Sequence, residues 1–229
     1  MSELIKDKNN KIMDYVNPQT LKWMRDNSAD MTNLMAYYKC AMMEVETKLN
    51  VLNEEFSLTH DRNPISSVKT RLKSVLSISE KLARNDFDIT VENIENELYD
   101  VAGLRVICSF TDDVYMIANA LLKQDDITLI RKKDYIAHPK ENGYRSLHLL
   151  VNVPIFLANE KRIMKVEIQL RTIAMDMWAS LEHQLRYKKD NVFTDEMADE
   201  LKRCADISAE MDYRMEKLRR QVMTPGLGK

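Results

Sequence analysis

Met164-Lys-Val-Glu-Ile-Gln-Leu-Arg171 decides the fold. Met164, Val166, Ile168 and Leu170 take one face of an extended chain, and Lys165, Glu167, Gln169 and Arg171 take the other. A period of two is the pattern of a strand with one core face and one polar face. Working outward, residues 146–153 repeat it, with Leu147, Leu149, Val151 and Val153 on one side, and residues 104–110 and 127–133 read as further strands. Val68, Thr70 and Leu72 alternate with Lys69, Arg71 and Lys73, which places three cations on one face of a short strand. Helices are expected over about 75–84, over 90–100 opened by Thr90, over 112–124 capped by Thr111, and after Thr172, where Met175, Trp178 and Leu185 face inward near Glu182 and His183. A turn falls at 158–161. The sum is an α+β domain with a mixed β-sheet of about five strands and surrounding helices.

Long helices flank this centre. Met35, Tyr38, Met42, Val45, Leu49, Leu52 and Phe56 recur every three or four residues until Pro64 stops the run. Met197, Leu201, Cys204, Met211, Met215 and Leu218 form a second seam, closed by Thr224-Pro225-Gly226. Both read first as helices packed on their own core, with a subunit interface as the sharper alternative. The resulting division is an N-terminal helical extension (1–62), a central domain (63–190), and a C-terminal helix and tail (191–229) serving oligomerisation.

The net charge of -2 and a pI near 6.1 argue against affinity for bulk nucleic acid, though a local cationic pocket is compatible with them. Cys40, Cys108 and Cys204 are odd in number and lack metal-ligand spacing, so a reducing cytoplasm is expected, with no disulfide framework. No apolar run approaches the roughly 20 residues of a membrane span, so no membrane partner is expected. Of four glycines only Gly103 and Gly143 lie in the body of the chain, which excludes a Walker A loop and a Rossmann fingerprint. Any nucleotide phosphates must be held by side chains.

Asp100 and Glu167 are the candidate metal carboxylates, since Mg2+ takes hard oxygens from one or two protein groups and the rest from water and phosphate. Ion pairing with Arg105 and Arg171 is the plainer alternative. Arg71, Lys73, Arg105, Lys132, Lys133, Lys140, Arg145 and Arg171 lie at strand edges or on the loop between strands, where a sheet-built phosphate pocket would open. Within His138-Pro-Lys-Glu-Asn-Gly-Tyr-Arg-Ser-Leu-His148, Asn142-Gly143 signals a turn, and the Tyr144 ring either stacks on a base or folds onto the core. His148 lies on the non-core face of the next strand, as a site residue or as an ordinary hydrogen-bonded histidine.

Together, Tyr99-Asp-Val-Ala-Gly-Leu-Arg105, Lys140-Glu-Asn-Gly-Tyr-Arg-Ser-Leu-His148, Val166-Glu-Ile-Gln-Leu-Arg-Thr172 and Trp178-Ala-Ser-Leu-Glu-His183 resemble the synthetase domain of RelA/SpoT-type (p)ppGpp synthetases. The resemblance covers about residues 63–188. The single domain with long flanking helices is similar to the small alarmone synthetases, most of all their RelP-like branch. It implies a nucleotidyltransferase-like fold, a homotetramer, and transfer of pyrophosphate from ATP to the 3′-hydroxyl of GDP or GTP, with GMP a further candidate acceptor, in the stringent response. It also implies Mg2+ on Asp100 and Glu167, with Glu167 accepting the 3′-hydroxyl proton. ATP would be held by Arg71, Lys73, Lys81 and Arg105. The guanine nucleotide would be held by Lys133, Lys140, Tyr144, His148 and Gln169, with Tyr144 stacked on the base. Asp176 stands where many relatives carry asparagine, which puts its guanine contact in question. His60-Asp61 resembles the metal-binding pair of the multidomain hydrolases, but histidines only at 60, 138, 148 and 183 cannot complete that centre, so no hydrolase activity is expected. A non-catalytic guanine-nucleotide or RNA sensor is the competing reading, and the carboxylate pair counts against it.

Overall fold

The computed structural model describes residues 28–60, 62–186 and 193–223 and sets β5 (Lys161–Thr172) at the centre of a five-stranded sheet. The order is β1-β2-β5-β4-β3, with β1 (Ile65–Leu72), β2 (Ala102–Cys108), β3 (Thr128–Asp134) and β4 (Leu147–Phe156). Only the β2–β5 pair is parallel. The alternation read from the sequence is the burial pattern: Met164, Val166, Ile168 and Leu170, and Leu147, Leu149, Val151 and Val153, are all buried.

Among the described residues six helices surround the sheet: α1 (Ser28–His60), α2 (Val75–Arg84), α3 (Val91–Glu97), α4 (Thr111–Leu122), α5 (Ile173–Arg186) and α6 (Asp195–Met223). The α1 seam is a core seam. Leu34, Tyr38, Ala41, Val45 and Leu49 are buried in one cluster with the apolar face of the sheet and with Val114, Ile117 and Leu121 of α4. Each fully buried aliphatic side chain of this kind contributes about 1.5–3 kcal/mol relative to exposure. With α1 covering one face of the sheet, the polar side chains of the strands are left on the other.

The C-terminal helix departs from the expectation of a seam packed on its own core. Met197, Met211, Met215 and Leu218 are 44–54% exposed and Cys204 is exposed, whereas Ala205, Ser208 and Glu216 are buried. The helix is attached by polar anchors: Thr172 Oγ1 donates to Asp212 Oδ2 at 2.6 Å, and Trp178 Nε1 donates to the Leu201 carbonyl at 2.8 Å. Farther along, Arg219 pairs with Asp112 and Glu216, and the guanidinium groups of Arg62 and Arg219 stand 5.3 and 4.8 Å from the centroid of the Phe110 ring. Periodicity shows that a stripe is apolar but not which body it meets. Leu185 likewise faces outward, 49% exposed, in line with Ile173, Met177 and Leu181.

Two helix boundaries shift, and one of them bears on the site. Helix α3 stops at Glu97, with Leu98 extended, so Asp100 stands beyond the helix at the mouth of β2. Thr111 is the first residue of α4 and not its cap; the Asp113 carboxylate accepts the Phe110 N–H at 3.2 Å instead.

Candidate active site

Strand register assembles the site before any side chain is considered. One row of directly paired residues crosses all five strands: Lys69, Arg105, Gln169, His148 and Lys133. The adjacent row is Arg71, Gly103, Glu167, Leu150 and Arg131. Because paired residues share a face, charges distant in sequence become neighbours on the face opposite α1. Gly103 contributes no side chain between Arg71 and Glu167, which leaves the floor open there.

Above these rows lies a cleft with two lobes of about 300 and 310 Å3. The lobe on the β1 side is lined by Lys69, Arg71, Lys73, Arg105 and Gln169. The lobe on the β3 side is lined by Lys81, Tyr99, Arg131, Lys133, Tyr135, Lys140 and His148. Asp100 and Glu167 line both. The carboxylates therefore stand where two cationic chambers meet.

Asp100 is held by two ammonium groups, Lys73 at 2.6 Å and Lys81 at 2.8 Å. Burial by itself would raise its pKa, but the hydrogen bonds from Lys73 and Lys81 and their charges outweigh burial and hold it below the ordinary value. Glu167 follows the same logic. Burial raises its pKa, His148 and Gln169 lower it, Asp100 opposes them through charge repulsion, and the net direction is downward. Two ionised carboxylates facing a shared space match the donor set for Mg2+ completed by water and phosphate. Among the described residues no cluster of three or more His, Cys, Asp or Glu offers an all-protein metal cage. Burial pushes the Cys108 thiol up to about 12, so it is no nucleophile.

Of the residues implied for ATP, Arg71, Lys73 and Arg105 fall in the β1-side lobe, while Lys81 reaches Asp100 from the opposite lobe. Of those implied for the guanine nucleotide, Lys133, Lys140 and His148 line the β3-side lobe and Gln169 lines the other. Tyr144 sits beside the cleft, packed with Trp178, Ala179 and Ala205, its hydroxyl 2.8 Å from His148 Nε2 and receiving Arg171 Nη2 at 2.6 Å. Asp176 is buried under three cations, Lys69 at 3.3 Å and Arg105 and Arg171 each at 3.2 Å. Lys132 and Arg145 stay out of the cleft: Lys132 lies 5.9 Å from the Tyr115 ring, and Arg145 donates to the Ala205 carbonyl and Asp206. The His60 side chain and Asp61 lie outside the described residues.

Arg131, Tyr135, Tyr99 and Lys69 were not among the site residues expected from the sequence, although Lys69 was placed with Arg71 and Lys73 on the cationic face of its strand and Tyr99 opens one of the four motifs. For Arg131 a signal existed, since on a strand Arg131 and Lys133 share a face that Lys132 does not. Tyr135 immediately follows β3, its ring edge-on to His148 at 5.3 Å and to Tyr144 at 5.9 Å, with Lys140 Nζ 4.9 Å above it.

This geometry has relatives. The region found in RelA and SpoT proteins matches residues 70–192. GTP pyrophosphokinase YwaC of Bacillus subtilis (strain 168) is 42% identical over 193 residues, 84% of this chain and 92% of that protein. The structure of small alarmone synthetase 1 from Bacillus subtilis bound to its product pppGpp matches with a TM-score of 0.76 at 34% identity, over 85% of this chain and 99% of the other. The same synthetase bound to AMPCPP gives a TM-score of 0.71 at 31% identity, over 85% and 98%.

Proposed function

The chain belongs to the family defined by the region found in RelA and SpoT proteins, and on that premise we propose how its residues divide the work of a (p)ppGpp synthetase. It is a GTP pyrophosphokinase, moving the β,γ-pyrophosphoryl group of ATP onto the 3′-oxygen of GDP or GTP. The observation that carries the residue-level reading is the two-lobed cleft with Asp100 and Glu167 common to both chambers.

ATP takes the β1-side lobe, its triphosphate held by Arg71, Lys73 and Arg105, while Lys81 keeps Asp100 in place from the other side. The guanine nucleotide takes the β3-side lobe, with Lys133 and Lys140 on its phosphates and the Tyr144 ring, beside Tyr135, against the base. Asp176 is an ion-pair partner and makes no guanine contact. Mg2+ held between Asp100 and Glu167 would neutralise charge on the transferring phosphates. The 3′-oxygen attacks the ATP β-phosphorus, the bond from that phosphorus to the α,β-bridging oxygen breaks, AMP leaves, and the hydroxyl proton passes to Glu167. A carboxylate with a lowered pKa is a weak base, which suits a reaction whose catalysis is mostly positioning and charge neutralisation.

We also propose a homotetramer in which the exposed apolar faces of α5 and α6 are covered by other copies, making residues 191–229 the oligomerisation segment next to a synthetase domain at 63–190. The α1 part of the 1–62 segment is built into the core of that domain. A cytoplasmic location fits the unpaired cysteines, and no helix among the described residues is long and apolar enough to cross a membrane.

Purified protein incubated with Mg2+, labelled ATP and GMP, GDP or GTP in separate reactions should yield a guanosine 3′-pyrophosphate and AMP. Lack of any such product with all three acceptors refutes the assignment.

A further inference from the structure

Resting on the synthetase reading, we infer that Arg171 is the positioning residue that fixes the orientation of Glu167, acting through two hydrogen-bonded relays. Arg171 lies on the same face of β5 as Glu167 and Gln169, is 4% exposed, and gives Nη1 to Asp176 Oδ1 at 3.2 Å. An ion pair with Asp176 would require no more than that. Its Nη2, however, donates twice, to Tyr144 Oη at 2.6 Å and to Gln169 Oε1 at 3.1 Å.

Each of those bonds sets the direction of the next. A guanidinium has donors only and does not deprotonate in proteins. With Gln169 Oε1 turned to Arg171, the amide nitrogen is the group that meets Glu167, donating to Oε2 at 3.1 Å. With the Tyr144 oxygen accepting from Arg171, the single phenolic proton is directed to His148 Nε2 at 2.8 Å. A neutral imidazole that accepts at Nε2 carries its proton on Nδ1, and Nδ1 faces Glu167 Oε1 at 3.4 Å. One buried guanidinium nitrogen thus delivers a donor to each oxygen of Glu167, closing a ring of five side chains. Asp176 keeps the guanidinium charge compensated away from water. The ring holds the plane of the carboxylate while its remaining lone pairs face the junction of the lobes.

A kinetic cycle tests this, with Arg171→Met, Arg171→Lys and Tyr144→Phe each made alone and in Glu167→Gln. Loss of an outer partner of this kind costs on the order of 10- to 100-fold. That fall is expected in kcat, with KM for ATP nearly unchanged and melting temperatures recorded for every variant. In Glu167→Gln the same substitutions should change kcat little, because the relays have lost their acceptor. An independent readout is the side-chain 15N spectrum of His148 in the unmodified protein, expected in the Nδ1–H form and moving toward Nε2–H in Tyr144→Phe. Losses that multiply fully with Glu167→Gln, or a His148 protonated on Nε2 in the unmodified protein, overturn the inference. If Arg171→Met does not fold, Arg171→Lys, Tyr144→Phe and the tautomer decide. An unmodified protein that makes no product refutes the synthetase reading, whereas the tautomer still reports on the relay.

Discussion

His148 Nδ1 stands 3.4 Å from Glu167 Oε1, a diagonal contact across the β4–β5 ladder, in which His148 pairs directly with Gln169 and Leu150 with Glu167. The histidine holds the carboxylate in its ionised form against the cost of burial. Replacing Glu167 by Gln keeps the volume and removes the charge, so kcat should fall at least about 10²-fold with a cooperative thermal transition retained. Initial rates and a melting curve on the same preparation check both halves.

The pH dependence follows from the direction of two shifts. Asp100 and Glu167 both have lowered pKa values in the folded protein. The stability they contribute is therefore present above their unfolded values, about 3.9 and 4.3, and is lost as pH falls through the lower folded values. Denaturant unfolding from pH 7 down to pH 3 should show stability falling only below the ordinary carboxylate range. In Asp100→Asn, which leaves Lys73 and Lys81 without their shared partner, that acid-dependent loss should shrink.

The lobes should separate in steady-state kinetics. Arg71→Ala is expected to raise KM for ATP, and Lys133→Ala to raise KM for the guanine nucleotide, with the other KM unchanged in each case. A hydrogen bond to a charged group is worth about 1.5–3 kcal/mol, so each shift should be on the order of tenfold or more. Equal effects on both substrates would mean that the chambers are not divided between them.

Gly143 adopts φ +88, and a Cβ placed on it would lie 2.5 Å from the Cβ of Ala205 on α6. Gly143→Ala should destabilise the protein by about 1–3 kcal/mol through backbone strain and overpacking. It should also raise KM for the acceptor more than KM for ATP, because the displaced loop carries Lys140 and Tyr144. Calorimetry and acceptor titrations on this variant check the pair of effects.

The central sheet was legible because it is half buried: one face alternates with the other, and Glu167 is visibly central on a polar face. The Asn142-Gly143 turn was legible because only a few residue types accept positive φ. Side-chain partnerships were not. Nothing in the spacing distinguishes an aspartate at a nucleotide from Asp176 beneath Lys69, Arg105 and Arg171, since that choice depends on a parallel crossover that brings β2 next to β5. The direction of α6 was hidden for a related reason. Its buried side carries Ser208, Asp212, Glu216 and Arg219, which read as a solvated stripe until Thr172, Asp112 and Asp113 are seen opposite them.

The outward face of α6 supplies the last prediction. Ile207, Met211, Leu218 and Val222 are 44–77% exposed, and Leu185, Leu181 and Met177 are about half exposed along α5. Rows of exposed apolar side chains on two helices mark an interaction site, and identical copies most often meet through closed symmetry. Met211→Lys with Leu218→Lys places two charges on that face without touching the polar anchors that dock the helix. If the proposed tetramer forms through this face, sedimentation should show a tetramer for the unmodified protein and a smaller species for this variant, at a lower melting temperature because the face it leaves in water is apolar. A solvated face predicts the opposite pair of results, unchanged mass and unchanged melting, so the two readings of this helix part on a single preparation.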